Sequence, residues 1–204
     1  MIAIVDYGLG NLRSVKYALD RLGRASELTS DPAAIASAAG VILPGVGAFE
    51  QAMVNLRRLG LVDVLRDAAG SGRPLMGICL GMQLLFDRSQ EYGLHEGLRI
   101  VAGSVVRFPR ELTVPHMGWN QVRQLRASPL FEGIADQSFF YFAHSYYTCP
   151  GDSAAGIGQT EYGLEYISAV QQGNVFGAQF HPEKSGPVGL QMMANFAELC
   201  GEKR

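Results

Sequence analysis

Three short apolar runs, each passing through a glycine turn into residues at helical spacing, constrain this chain more than any other feature. Ile2–Val5 runs into Asp6-Tyr7-Gly8-Leu9-Gly10-Asn11, and Leu12, Val15, Leu19 and Leu22 follow at helical spacing. Val41-Ile42-Leu43 runs into Pro44-Gly45-Val46-Gly47-Ala48, with helical material over 49–69 broken near Gly60. Pro74-Leu75-Met76 reads as a short buried strand, and 80–86 as a helix with Leu80, Leu84 and Leu85 at helical spacing; Gly70-Ser71-Gly72 is the loop before them. Asn11 and Gly23 suit the start and stop of the first helix. A strand is expected at 25–28, and a short Ala-rich helix from Asp31-Pro32, with Asp as N-cap and Pro in the first turn. Strands that alternate with helices argue for a parallel sheet covered on both faces. From about Leu98 the texture changes, with strands expected at 98–108, 119–125, 139–143, 154–160, 166–171 and 174–180. A last helix, 186–200, carries Leu190, Met193, Ala194 and Ala197 on one face. The expected fold is α/β: an open, mostly parallel central sheet with helices on both faces and an antiparallel, strand-rich extension in the second half. No linker divides it, so one domain is expected over residues 1–204.

Composition excludes several classes. With 48% apolar and 18% charged residues, 204 residues can bury a core and are not a disordered chain. A net charge of −2 offers nothing to nucleic acid or to an anionic membrane surface. No run approaches the ~18 apolar residues that span a bilayer, and Met1-Ile2-Ala3-Ile4-Val5-Asp6 reads as a strand rather than a signal peptide. Cys79, Cys149 and Cys200 are odd in number and widely spaced. That is neither a disulfide framework nor a zinc spacing, and it suits a reducing, cytoplasmic setting. Neither a metal nor a cofactor is expected. Gly8-x-Gly10 follows a strand, yet the dinucleotide fingerprint needs Gly or Ala where Arg13 stands, and Glu27 lies too early for the acidic ribose ligand.

The strand–turn–helix at Gly77-Ile78-Cys79-Leu80-Gly81 resembles a nucleophile elbow with cysteine in place of serine. Glycine on both sides removes Cβ atoms where backbones approach closely. The N–H groups that open the following helix favour a thiolate and can hold an oxyanion. A buried, inert cysteine would fit the same pentapeptide.

A nucleophilic cysteine needs a base, and the base needs an orienter. Of the four histidines, His95 lies among loop residues, and His116 and His144 each suit structural roles. His181 stands in Phe180-His181-Pro182-Glu183, where proline favours extended backbone before it. Residues i and i+2 then point the same way, so Glu183 can fix the imidazole tautomer and leave the other nitrogen for Cys79. Leu80 N–H is one candidate oxyanion donor. The 44–47 loop, at the end of a neighbouring strand, offers a second at Val46 or Gly47, with glycines that make peptide rotation easy. An ordinary strand–helix connection would use the same glycines. The chain order of these groups differs from the α/β-hydrolases, where the acid precedes the histidine, and from papain-like proteases, whose cysteine lies near the N-terminus.

Taken together, the 77–81 elbow, Pro44-Gly45-Val46-Gly47 and His181-Pro182-Glu183 resemble the class I (triad) glutamine amidotransferases. Within them, Asp6 to Asn11, Pro44 to Phe49, His116-Met117-Gly118-Trp119-Asn120, Tyr141 to Tyr146 and His181 to Gly186 are similar to glutaminase subunits of imidazole glycerol phosphate synthases. Met82 stands where several sister families carry histidine. The resemblance implies a Cys79, His181, Glu183 triad that hydrolyses L-glutamine to glutamate and ammonia through a thioester. It implies that Gly47, Gln83, Ser145 and Tyr146 hold glutamine, and that Trp119, Tyr141, His144 and Lys184 lie near a partner and an ammonia route. It further implies a heterodimer with a (β/α)₈-barrel cyclase of histidine biosynthesis, and low turnover until that partner's site is filled. Because these motifs fill the sequence, the ammonia acceptor is expected on another chain.

Overall fold

The computed structural model describes residues 1–201. Its first half alternates as the apolar runs require: β1 (Ile2–Val5), α1 (Leu12–Arg21), β2 (Ser26–Thr29), α2 (Pro32–Ser37), β3 (Gly40–Gly45), α3 (Phe49–Arg58), α4 (Leu61–Gly70), β4 (Leu75–Cys79) and α5 (Leu80–Leu84). Thereafter come β5 (Phe86–Ser89), β6 (His95–Glu96), β7 (Val101–Arg107), β8 (His116–Gln124), β9 (Ser138–His144), β10 (Tyr146–Pro150), β11 (Gly156–Glu161), β12 (Glu165–Gln172), β13 (Val175–Ala178) and α6 (Gly186–Leu199). β2, β1, β3, β4 and β13 lie side by side and parallel. Antiparallel β12, β10 and β7 continue that sheet, and β11, β8 and β9 branch from β12.

Alternation along the parallel strands makes two cores. Ile2, Ile4, Ile42, Met76, Ile78 and Phe176 face one side, where Val15 and Leu19 of α1 and Met192, Met193 and Phe196 of α6 cover them. Ala3, Val5, Val41, Leu43, Leu75 and Val175 face the other, under Ile35 of α2, Met53 and Leu56 of α3, and Leu61 and Leu65 of α4. Burying one such side chain stabilises by about 1.5–3 kcal/mol, so the register of each strand is fixed by both faces at once.

Several local expectations need correction. Asp31 does cap α2, accepting from Ala33 N–H at 3.0 Å. Asn11 occupies the N-cap of α1 but makes no side-chain cap bond; its carbonyl takes Ser14 N–H instead. The helix after the elbow stops at Leu84, two residues short of the expected end, because residues 98–101 claim the backbone beyond it. Leu98 N–H donates to Leu84 O, Ile100 and Val101 N–H to Leu85 O, and Arg99 N–H to Phe86 O. Phe86 therefore opens a strand, and residues 98–100 feed that pairing instead of beginning β7. His95 lies in the two-residue β6, where it pairs with Ser89, not in a loop. β10 went unanticipated, since Tyr146-Tyr147-Thr148-Cys149-Pro150 lacks clean alternation and ends in proline.

Candidate active site

The carboxyl ends of β3, β4 and β13 meet at one edge of the sheet, the usual place for a ligand site in such folds. Cys79 ends β4 with φ 54° and ψ −113°, in the left-handed half of backbone space that a side chain rarely occupies. The glycines around it are sterically required. A Cβ on Gly81 would lie 1.7 Å from the Leu43 carbonyl oxygen, and one on Gly77 would lie 2.6 Å from Gly81 O and Met82 N. Gly45, paired across to Cys79, leaves room for the Tyr7 hydroxyl, which a Cβ there would approach to 2.4 Å. α5 is only five residues long. Its contribution at the sulfur is the local set of N–H groups, Leu80 first, more than a long helix's dipole.

Beyond β13 the chain enters Gln179-Phe180-His181, and His181 N–H donates to Tyr141 O at 2.8 Å. Proline after His181 favours an extended His181-Pro182-Glu183. His181 is extended, but Pro182–Lys184 is a 3₁₀ turn. The turn still brings the two side chains together, with His181 Nδ1 2.8 Å from Glu183 Oε1 and both side chains almost wholly buried. Burial opposes the imidazolium, yet the hydrogen bond to Cys79 and then that to Glu183 outweigh it and push the His181 pKa up to about 10. The imidazole, its charged form favoured by both neighbours, thus stands between Cys79 and Glu183, an arrangement suited to nucleophilic attack followed by proton return.

In front of Cys79 is a cavity of about 210 Å³ lined by Val46, Gly47, Leu80, Gln83, Glu91 and the 143–146 segment, among others. Gly47, at φ 100°, and half-exposed Val46 form one wall. Gln83 is buried; its Nε2 donates to Tyr146 O and to Gln179 Oε1, each at 3.0 Å. Gln179 Nε2 in turn points at the Cys79 sulfur, 3.7 Å away. The expected glutamine-binding residues Gly47, Gln83, Ser145 and Tyr146 all line this cavity.

The residues assigned to a partner and an ammonia route divide in two. Trp119 is 55% exposed and stacks edge-on with Tyr141, over whose ring Lys184 Nζ stands at 5.9 Å. Met117 and Phe139, at 64% and 53%, extend this open apolar face, and Met117 also lines the cavity. His144 differs, being buried and reached from the cavity rather than from the outer face. Its Nδ1 donates to Tyr146 O at 2.8 Å, and its Nε2 lies 3.2 Å from His116 Nδ1 and 3.1 Å from the Tyr166 hydroxyl. Asn120 Nδ2 closes the network on His116 Nε2 at 3.3 Å. Burial holds both imidazoles neutral, with the His116 pKa lowered to about 4 and that of His144 to about 3.

Sequence reasoning missed Gln179 and Glu91. A lone glutamine in the apolar run Val175-Phe176-Gly177-Ala178-Gln179-Phe180 was a usable signal, because a polar side chain there has to find buried partners. Glu91, in the turn between β5 and β6, gave none. Its carboxylate reaches the cavity wall and accepts Phe49 N–H at 2.7 Å, a contact 42 residues apart in the chain.

The model of the family "Glutamine amidotransferase class-I" matches residues 3–199. The chain is 56% identical over 198 residues to an imidazole glycerol phosphate synthase subunit HisH of Moorella thermoacetica, covering 97% of this chain and 94% of that protein. A HisH subunit of Bacillus cereus is 50% identical, with 96% and 93% covered. Among solved structures, one described as a glutamine amidotransferase superposes with a TM-score of 0.77 at 22% identity, covering 98% of this chain and all of that one. The PurLQS structure from Thermotoga maritima gives 0.76 at 18% identity, with 97% of each chain covered. These two likenesses establish the shared fold, and the full-length sequence matches establish the lineage: the chain belongs to the class I glutamine amidotransferases, among the HisH subunits.

Proposed function

We propose that this glutamine amidotransferase hydrolyses L-glutamine through a γ-glutamyl thioester on Cys79 and passes the ammonia to a cyclase subunit in histidine biosynthesis. The observation that carries the reading is Cys79, on its strained turn in the wall of the cavity, with the buried His181 imidazole interacting with it and Glu183 hydrogen-bonded to that imidazole.

The steps follow from the groups present. The Cys79 thiolate attacks the side-chain carbonyl of glutamine, and the oxyanion takes the Leu80 N–H and a second N–H from Val46 or Gly47. His181 gives its proton to the departing nitrogen, which leaves as ammonia. It then accepts one from the water that attacks the thioester, releasing glutamate and regenerating the thiolate. Glu183 holds the imidazole in one tautomer through Nδ1. Gln83, Ser145 and Tyr146 position the substrate, and Glu91, the one carboxylate among the residues lining the cavity, faces its α-ammonium.

Ammonia in bulk water at neutral pH is protonated and no longer nucleophilic, so its acceptor has to sit over the site. The exposed Met117, Trp119 and Phe139, beside Tyr141 and Lys184, are the face proposed for a (β/α)₈-barrel cyclase that makes imidazole glycerol phosphate and aminoimidazole carboxamide ribotide. The test pairs this chain with such a cyclase. Cys79→Ala abolishes synthesis from glutamine and spares synthesis from added ammonium salt; loss of both would make Cys79 structural and refute the assignment.

A further inference from the structure

The 44–48 segment carries one proposed oxyanion donor, and the structure shows it pinned at its two ends. At the first end the buried Tyr7 hydroxyl donates to Pro44 O at 2.8 Å. At the other, α3 begins at Phe49 behind Ala48, an N-cap residue with no side-chain acceptor. Helices so placed leave their first N–H groups unsatisfied. Here the vacancy is filled from a distance, since Glu91 accepts Phe49 N–H. Glu91 is half-buried, and His95, itself 3.6 Å from Glu50, is close enough to act on its charge. Between the two pins stand half-exposed Val46 and Gly47 with its positive φ, and among the described residues no side chain hydrogen-bonds either peptide.

We propose that Glu91 is a positioning residue for the oxyanion loop: its carboxylate anchors the Phe49 N–H, fixing the end of the 44–48 segment while the same side chain faces the substrate cavity. This rests on the glutaminase reading but adds to it. Glu91 then acts on the rate as well as on binding, because the group that senses the substrate's charge also sets where the oxyanion donor lies. Loss of a backbone N–H hydrogen bond to a charged acceptor frees the segment by a factor on the order of 10–100.

The experiment compares wild type, Glu91→Ala and Glu91→Gln by hydrogen–deuterium exchange and by kinetics with two substrates. One is glutamine and the other is glutaramate, which is glutamine without its α-ammonium. Glu91→Ala should exchange at Phe49 and through 46–49 on the order of 10–100-fold faster, with β1 and β4 unchanged. It should lower kcat for glutaramate as well as for glutamine. Glu91→Gln, whose amide oxygen still accepts the Phe49 N–H, should restore slow exchange and the glutaramate kcat while keeping a raised KM for glutamine. Unchanged exchange in Glu91→Ala, or a glutaramate kcat equal to wild type, overturns the proposal and leaves Glu91 as a binding group alone. The kinetics are run on the complex with a cyclase subunit whose own site is filled; if the wild type in that complex hydrolyses neither substrate, the glutaminase reading fails, whereas the exchange arm still decides whether Glu91 pins the loop.

Discussion

Replacing Glu183 with glutamine separates charge from shape at the centre of the site. In the folded protein Oε1 accepts His181 Nδ1–H at 2.8 Å, and Oε2 is buried with no partner among the described residues. Glu183→Gln can keep the first bond through its amide oxygen, and its NH₂ then sits where Oε2 had no donor or acceptor to meet. That buried, unsatisfied donor costs about 1–3 kcal/mol, enough to lower the thermal midpoint without unfolding the chain. The larger effect is electrostatic. The His181 pKa is raised from 6.5 to about 10 against the cost of burial, by Cys79 and by Glu183. Removing the Glu183 charge lowers it, and the imidazolium that forms when the thiol ionises loses its support. General-base function of this kind is worth on the order of 10²–10⁴ in rate, so glutamine-dependent turnover should fall by that factor while ammonia-dependent synthesis by the complex persists. The pH dependence has a definite sign. A histidine pKa raised on folding adds stability that is complete below 6.5 and vanishes as pH rises through about 10. The stability gap between wild type and Glu183→Gln should therefore be widest at pH 6 and close toward pH 10. Equal turnover, together with an unchanged His181 titration followed by NMR, would refute a working role for the pair.

Four other outcomes follow from the same geometry. Gly81→Ala should lose more than about 3 kcal/mol in chemical denaturation, because its Cβ overlaps the Leu43 carbonyl and the strand–helix turn has to open; a loss under 1 kcal/mol would mean the elbow relaxes freely. Gly47→Pro, which removes an N–H and forbids the observed φ of 100°, should abolish partner-stimulated glutaminase while Cys79 still reacts with a small haloacetamide; intact stimulation would exclude a peptide rotation at 45–47. The pKa values of His116 and His144 are depressed on folding, so the unfolded chain takes protons first and stability should fall as pH drops from 6.5 toward 4. His144→Phe should flatten that slope in urea titrations between pH 4 and 6.5, and an unaltered slope would place the acid sensitivity elsewhere. Trp119→Ala should weaken cyclase affinity by about 2 kcal/mol, roughly 30-fold, as for a central aromatic anchor; titration calorimetry showing no change would move the interface off this face.

What could be read from the sequence was set by local rules with few competitors. Continuous apolar runs such as Val41-Ile42-Leu43 dictate doubly covered strands, and Gly77 and Gly81 mark a turn that tolerates no Cβ on either side of Cys79. His181 and Glu183 were legible because two residues of separation bring them together in the 3₁₀ turn that forms as well as in the extended chain that was expected. The illegible parts depend on distant backbone. The α5 helix ends at Leu84 because residues 98–101 take the carbonyls of Leu84, Leu85 and Phe86, which no local propensity announces. Glu91 reaches Phe49 across 42 positions from an unremarkable turn. A structural role for His116 and His144 was legible, but their meeting with Tyr166 in one buried network is a product of β8, β9 and β12 converging.

Covalent labelling tests the central claim most directly. Incubated with a glutamine-like diazoketone, the protein should gain one adduct on the peptide carrying Cys79, glutamine should slow its formation, and His181→Ala should suppress it. Inactivation with the label on any other residue, and Cys79 unmodified, would contradict the account.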